Sequence, residues 1–284
     1  MWLKRSLDFF LYTHIYIGLC AVALCWGIFT VFGGAEAQNA YLVFAFCGTV
    51  WVYNLHRTVG LQTTDRDKWP RRFRIFYRLR HFNILWALLT MLTAVYAFFT
   101  YLFNFGFYLL PPIAVSLVYV IPLNSNKLVR SIPYLKIFLI SFTWAWVTVV
   151  FPLLLMDNRD AWLIFLLSIE RFLFIMAIDI PFDIRDYEQD ARQSVNTLVH
   201  KIGVDGSKQL AIYLLVVSSL LSLIATYLGW VPSYYSIIHI GVYLLATYLV
   251  FFTKKERKDA YYSFGLDGTM LLIGILEVVV YYLL

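Results

Sequence analysis

From Phe9 to Phe32 the chain runs through 24 residues without an Asp, Glu, Lys or Arg. About 20 mostly apolar residues let a helix cross the hydrocarbon core of a bilayer. A backbone placed there must satisfy its own hydrogen bonds, which a helix does within one segment. The pattern recurs down the chain, and the expectation is an all-α, polytopic membrane protein with nine transmembrane helices. The expected spans cover 9–32, 39–60, 82–104, 105–122, 134–156, 160–182, 209–229, 232–253 and 261–284. They form one domain over residues 1–284. Composition agrees: 61% of residues are hydrophobic and 14% charged, against roughly 45–50% and 25% in a soluble domain. One water-soluble core of this size cannot hide that excess. A secreted disulfide scaffold, a disordered tail protein and an ordinary cytosolic enzyme are excluded. Cys20, Cys25 and Cys47 lie in apolar stretches without C-x-x-C spacing and read as buried free thiols. Lys4 and Arg5 before the first apolar run imitate a signal peptide. That run exceeds the 7–15 residues of a signal core, so it is taken as the first span.

The charges orient these spans. With the N-terminus cytoplasmic, 21 of the 23 Lys and Arg fall in cytoplasmic segments, and only Arg159 in an outer loop. That partition is the positive-inside bias, and it places the C-terminus on the outer side. It also accounts for the net charge of +6 without a nucleic-acid partner. The basic cluster Arg71, Arg72, Arg74, Arg78 and Arg80 reads as a contact with the anionic headgroups of the lipid bilayer. Outer connections are short. The inner ones at about 61–81 and 183–208 are long, and loops of that size are usually functional. The working end is therefore expected at the cytoplasmic face.

The second long loop follows the densest chemistry in the chain. Asp179, Asp183, Asp186 and Asp190 stand at i, i+4, i+7 and i+11. On a helix these positions share one stripe about 60° wide. Glu188 and Arg185 are expected to point away from it, and Pro181 to threaten its continuity. Four like charges beginning at membrane depth repel one another and resist desolvation, so a cation is required. Carboxylates without His or Cys suit Mg2+, which keeps waters and recruits substrate phosphates. A solvated helix surface beyond the membrane edge would suit Asp190 but not Asp179.

Asp179, Asp183, Arg185-Asp186 and Asp190, followed by Asn196-Thr197-Leu198 and Lys201-Ile202-Gly203, resemble the second aspartate motif of the UbiA family of intramembrane prenyltransferases. Tyr119, Pro122, Lys127, Arg130 and Pro133 resemble the tyrosine–proline–basic segment between that family's fourth and fifth spans. The resemblance implies nine helices around a central cavity open to lipid, with Mg2+ and an isoprenyl diphosphate held by two aspartate motifs. It makes Asp179, Asp183, Asp186 and Asp190 metal ligands. Asp186, Asp190, Arg57, Lys127 and Arg130 become catalytic candidates, and Asn54, Arg57, Tyr119, Lys127 and Arg130 substrate contacts. The first motif departs from the pattern. Asn54 matches its opening asparagine, but Leu55, Thr58 and Gln62 stand where three aspartates are expected. Asp65 and Asp67 follow close by. Arg57 reads equally as a bidentate phosphate ligand or as a residue snorkelling to the inner interface.

The activity implied is Mg2+-assisted ionisation of an isoprenyl diphosphate and transfer of the prenyl group to an acceptor, one possibility being an aromatic one. The alternatives are a terpene cyclase or diphosphate-releasing enzyme on the same fold, and a non-catalytic isoprenoid-binding or assembly protein. Inside the spans, Glu170 and Arg171 are expected to pair with other helices, while Asp267 and Glu277 are functional candidates. The five histidines form no metal-ligand spacing. Val204 to Ser207 reads as a turn and cap.

Overall fold

The computed structural model describes residues 2–33, 38–62, 66–118, 122–124, 127–128, 134–158, 160–192 and 197–284. It is helical apart from a short antiparallel pair, β1 (Pro122–Asn124) with β2 (Lys127–Leu128). The helices are α1 (Trp2–Tyr12), α2 (Ile15–Val31), α3 (Asn39–Gln62), α4 (Arg71–Arg78), α5 (Arg80–Ala97) and α6 (Gly106–Val118). They continue with α7 (Leu135–Ala145), α8 (Phe151–Leu155), α9 (Ala161–Arg192), α10 (Leu198–Tyr227), α11 (Ser233–Phe251) and α12 (Asp267–Leu283). Wide helical turns over Phe98–Leu102, Trp146–Val150 and Tyr261–Leu266 interrupt the regular pattern.

Among the described residues five helical runs are long and apolar enough to cross a membrane: Arg80–Val118, Leu135–Leu155, Leu198–Tyr227, Ser233–Phe251 and Tyr261–Leu283. A sixth is added if the pair Arg5–Tyr12 and Ile15–Val31, bent by 61°, is one span. The chain is thus a multi-pass membrane protein, but the expected count of nine is not reproduced. Two expected spans merge into Arg80–Val118, whose 39 residues would extend about 58 Å if straight, nearly twice the hydrocarbon thickness. The helices α3 and α9 are long enough but carry polar side chains, Asn54, His56 and Arg57 in one, Glu170, Arg171 and the aspartates in the other.

The chain divides into two compact units. The first comprises Met1–Val22 and Glu36–Phe107. Here α3 packs along α5, with Phe46 edge-on to Trp86 at 6.5 Å. Gly18 admits α3 to the start of α2, because a Cβ there would lie 2.8 Å from Val50. The short basic α4 lies on α1, where Arg71 Nη2 meets Asp8 Oδ2 at 2.6 Å. Phe73 and Phe76 are its buried side and Arg71, Arg74 and Arg78 its exposed one. On α5 the exposed side chains include Leu85, Leu88, Leu92 and Val95. A continuous apolar stripe of that kind is a liability in water and an ordinary surface in lipid.

The second unit comprises Ala23–Ala35 and Tyr108–Leu284, and α9 is its axis. That helix packs on α7, α10 and α11 and buries Phe174, Ile175, Ala177, Ile178, Ile180 and Ile184. Close approach fixes α12 against the second half of α2, since a Cβ on Gly274 would fall 2.0 Å from the Ala23 carbonyl oxygen. Cys20, Cys25 and Cys47 are buried and form no disulfide, as the sequence predicts.

Candidate functional site

The aspartate stripe requires an uninterrupted helix, and α9 runs from Ala161 to Arg192 through Pro181. Proline removes one backbone hydrogen bond, to Ala177, without ending this helix. Asp179 and Asp190 are therefore about 16 Å apart along one axis. Asp183 is 2% exposed, and its Oδ1 accepts from Lys136 Nζ at 2.6 Å. Lys136 enters because α7 packs on α9, a juxtaposition invisible in the local spacing. Asp179 Oδ2 is buried without a hydrogen-bond partner. Its carboxylate interacts electrostatically with Lys136, Asp183, Arg185 and Asp186, and Asp267 on α12 interacts with it in turn.

Arg185 departs from expectation. Instead of pointing away from the stripe, its side chain folds back onto the next residue. Nε lies 2.8 Å from Asp186 Oδ1 and Nη2 3.1 Å from Asp186 Oδ2. Nη1 is 3.7 Å from Asp259 Oδ1, and the guanidinium lies over the rings of Phe182 and Tyr262 at 5.0 and 5.1 Å. Burial disfavours its charge, but Asp186 and then Asp259 hold the guanidinium above its ordinary value, so it stays cationic. The reach of a long, flexible side chain overrides the 100° step between neighbours. Asp190 is half-buried and Glu188 exposed at the end of the stripe.

Beyond the stripe, Asn196 lies outside the described residues. Thr197 caps α10 in a reciprocal box with His200, whose Nδ1 is 2.9 Å from Thr197 Oγ1. The His200 ring stacks on Tyr187 at 4.2 Å, and Lys255 Nζ sits 3.7 Å from the centre of the Tyr187 ring. Sequence reasoning missed this cap because His replaces the Glu or Gln of the usual T-x-x-E pattern. Gly203 then breaks α10 with φ 77° and ψ 172°.

The other expected site residues divide by location. Tyr119, Arg130 and Asp65 lie outside the described residues, and Lys127 is described only as part of β2. In the first unit Asn54 is buried on α3, where its Nδ2 donates to Val50 O at 2.9 Å. Thr58 Oγ1 donates to Asn54 O at 2.8 Å. The Arg57 guanidinium lies 5.1 Å from the centre of the Phe73 ring, and Asp67 is exposed.

A second polar constellation lies about 13 Å further along α9. His239 on α11 places Nδ1 2.7 Å from Glu170 Oε1 and Nε2 2.9 Å from Glu277 Oε1. Tyr235 donates to Glu170 Oε2 at 2.8 Å, and Tyr243 donates to Glu170 Oε1. Glu170, Arg171, His239 and Glu277 are all fully buried. Two carboxylates, both nitrogens of one imidazole and a guanidinium thus share one buried region. The sequence expected partners on other helices for Glu170 and Arg171, and marked Glu277 as a functional candidate. Glu170 finds them, whereas the Arg171 guanidinium has no hydrogen-bond partner among the described residues. The role of His239 was missed because its partners stand 69 and 38 positions away.

Among the described residues no three His, Cys, Asp or Glu side chains converge to hold a metal. A Mg2+ held by one or two carboxylates plus substrate phosphates does not need three, and the open Oδ2 of Asp179 fits that arrangement.

Solved structures share this fold. A UbiA homologue from Archaeoglobus fulgidus bound to GPP and Mg2+ matches with TM-score 0.71 at 12% identity, over 95% of this chain and 99% of that one. The same description with DMAPP and Mg2+ matches with TM-score 0.68 at 12% identity, over 96% and 99%. A structure described for digeranylgeranylglyceryl phosphate synthase matches with TM-score 0.58 at 15% identity, over 99% and 100%. No curated protein matches the chain in sequence. The model of the UbiA prenyltransferase family matches residues 78–273, more than half of the chain, which therefore belongs to that family.

Proposed function

We propose that this protein ionises an isoprenyl diphosphate within the membrane and transfers the prenyl group to an acceptor. The observation that carries this reading is the unbroken stripe Asp179, Asp183, Asp186 and Asp190 on α9, with the buried Oδ2 of Asp179 open, in a UbiA family chain. Solved relatives of the same fold are bound to GPP or DMAPP with Mg2+.

Asp179, Asp183, Asp186 and Asp190 would hold Mg2+, which would supply positive charge against the departing diphosphate. The chain's own contribution is electrostatic preorganisation. Lys136 and Arg185 fix the carboxylates of Asp183 and Asp186, so the stripe does not have to reorganise as charge develops on the leaving group. Lys127 and Arg130, which precede α7 in the sequence, and Tyr119 would add donors to the phosphates. The apolar surroundings of α9 keep water from an allylic cation and leave it to the acceptor.

The test is binding of geranyl diphosphate to purified protein in lipid nanodiscs, with and without Mg2+, in wild type and Asp179→Asn. The expected result is Mg2+-dependent binding weakened at least about tenfold, or 1.4 kcal/mol, in the variant. Equal binding by both proteins would remove Asp179 from the site. The aspartates replaced by Leu55, Thr58 and Gln62 favour a second reading, a protein that holds isoprenoid diphosphates without cleaving them. Tight binding without pyrophosphate release would select it.

A further inference from the structure

From Arg66 to Arg80 the chain carries seven Lys or Arg and one acidic residue, Asp67. The arginines of α4 differ in what they already touch. Arg71 is engaged by Asp8 of α1 at 2.6 Å. Arg72 is buried, with its guanidinium 5.7 Å from the centre of the Phe73 ring. Just beyond the helix, the Arg80 guanidinium lies 4.6 Å from the centre of the Tyr77 ring. Arg74 and Arg78 remain. Both are exposed, and among the described residues neither side chain has an ion pair, hydrogen bond or ring contact. They stand at i and i+4, so their guanidinium groups leave α4 side by side. Like charges at that spacing weaken a helix, and an anion between them reverses the effect.

The place of α4 in the fold selects the anion. Leu79 alone separates it from α5, which opens the apolar run Arg80–Val118. The exposed side of α5 starts with Phe82, Ile84 and Leu85. Phe82 lies 4.9 Å from Phe9 of α1 and stacks on Trp86 at 6.1 Å. Aromatic rings grouped at the end of a span mark the level of the lipid headgroups. Phe73 and Phe76 are buried, and this packing turns Arg74 and Arg78 outward at that level. We propose that Arg74 and Arg78 form a clamp for the phosphate of an anionic phospholipid at the membrane surface. A guanidinium presents a planar fork that matches phosphate oxygens, and two forks one turn apart reach a single phosphodiester. Leu85, Leu88 and Leu92 on α5 supply exposed apolar surface for the acyl chains. The clamp uses none of the residues assigned to the diphosphate site, so it stands or falls apart from the reaction.

The experiment reconstitutes the full chain in phosphatidylcholine membranes and reads, by electron paramagnetic resonance, the fraction of spin-labelled lipid immobilised at the protein surface. Wild type is expected to favour phosphatidylglycerol over phosphatidylcholine by at least about threefold. In Arg74→Gln with Arg78→Gln the preference is expected to fall below about 1.5-fold. Both side chains are exposed, so this double variant removes no buried contact. Lys254→Gln with Lys258→Gln removes the same charge from exposed positions of the second unit and is expected to keep the wild-type preference. Equal losses in the two double variants would mean a diffuse attraction to net charge and overturn the clamp. Wild type without any preference would overturn it as well. Displacement of the labelled lipid by inorganic phosphate or geranyl diphosphate would assign the two arginines to a soluble anion, which also contradicts the proposal.

Discussion

At the scale of single residues, the buried polar groups divide into those the local spacing reveals and those it cannot. His239 stacks on Tyr235 at 3.8 Å and bridges Glu170 and Glu277 in a fully buried setting. His239→Leu removes the bridge between two buried carboxylates and is predicted to destabilise the protein by about 3–5 kcal/mol. Reversible unfolding in mixed detergent would measure this, and a change below about 1 kcal/mol would show that the bridge is dispensable. The four aspartates were legible because their spacing is a property of one helix. The Lys136–Asp183 and His239 contacts were not, because they join helices whose packing no local spacing encodes. Arg185 was misplaced because position on a helical wheel sets where a side chain starts, not where a long, flexible one ends.

At the scale of elements, two glycines carry predictions. Gly203 adopts φ 77° with ψ 172°, a conformation essentially confined to glycine. Gly203→Ala is predicted to cost about 1–3 kcal/mol and to loosen the first turn of α10, read as faster proteolysis near Thr197. Unchanged cleavage would show that the turn relaxes without strain. On α12, a side chain at Gly274 would collide with the Ala23 carbonyl. Gly274→Val is predicted to lower the melting temperature more than Gly241→Val, since a Cβ on Gly241 meets nothing within 4 Å. Helix type was legible from apolar run lengths, as were the spans at 134–156, 232–253 and 261–284. The join of 82–104 to 105–122 was not, because helical turns carry the chain through Phe103–Phe105, where the sequence suggested a loop.

At the scale of the whole molecule, the apolar surface and family membership place this chain in the membrane among the UbiA prenyltransferases. Its aspartate stripe runs along α9, while α3 carries Leu55, Thr58 and Gln62 where the sequence reading expected aspartates. The central claim is that this stripe still serves ionisation of an isoprenyl diphosphate. Its most direct test is pyrophosphate release from geranyl diphosphate by purified protein, with and without Mg2+, beside Asp186→Asn. The account predicts Mg2+-dependent release by the wild type and a loss of at least about a hundredfold in the variant, which leaves the Arg185 charge without its principal partner. Full turnover by Asp186→Asn, or no release by folded wild-type protein that binds the substrate, would contradict it.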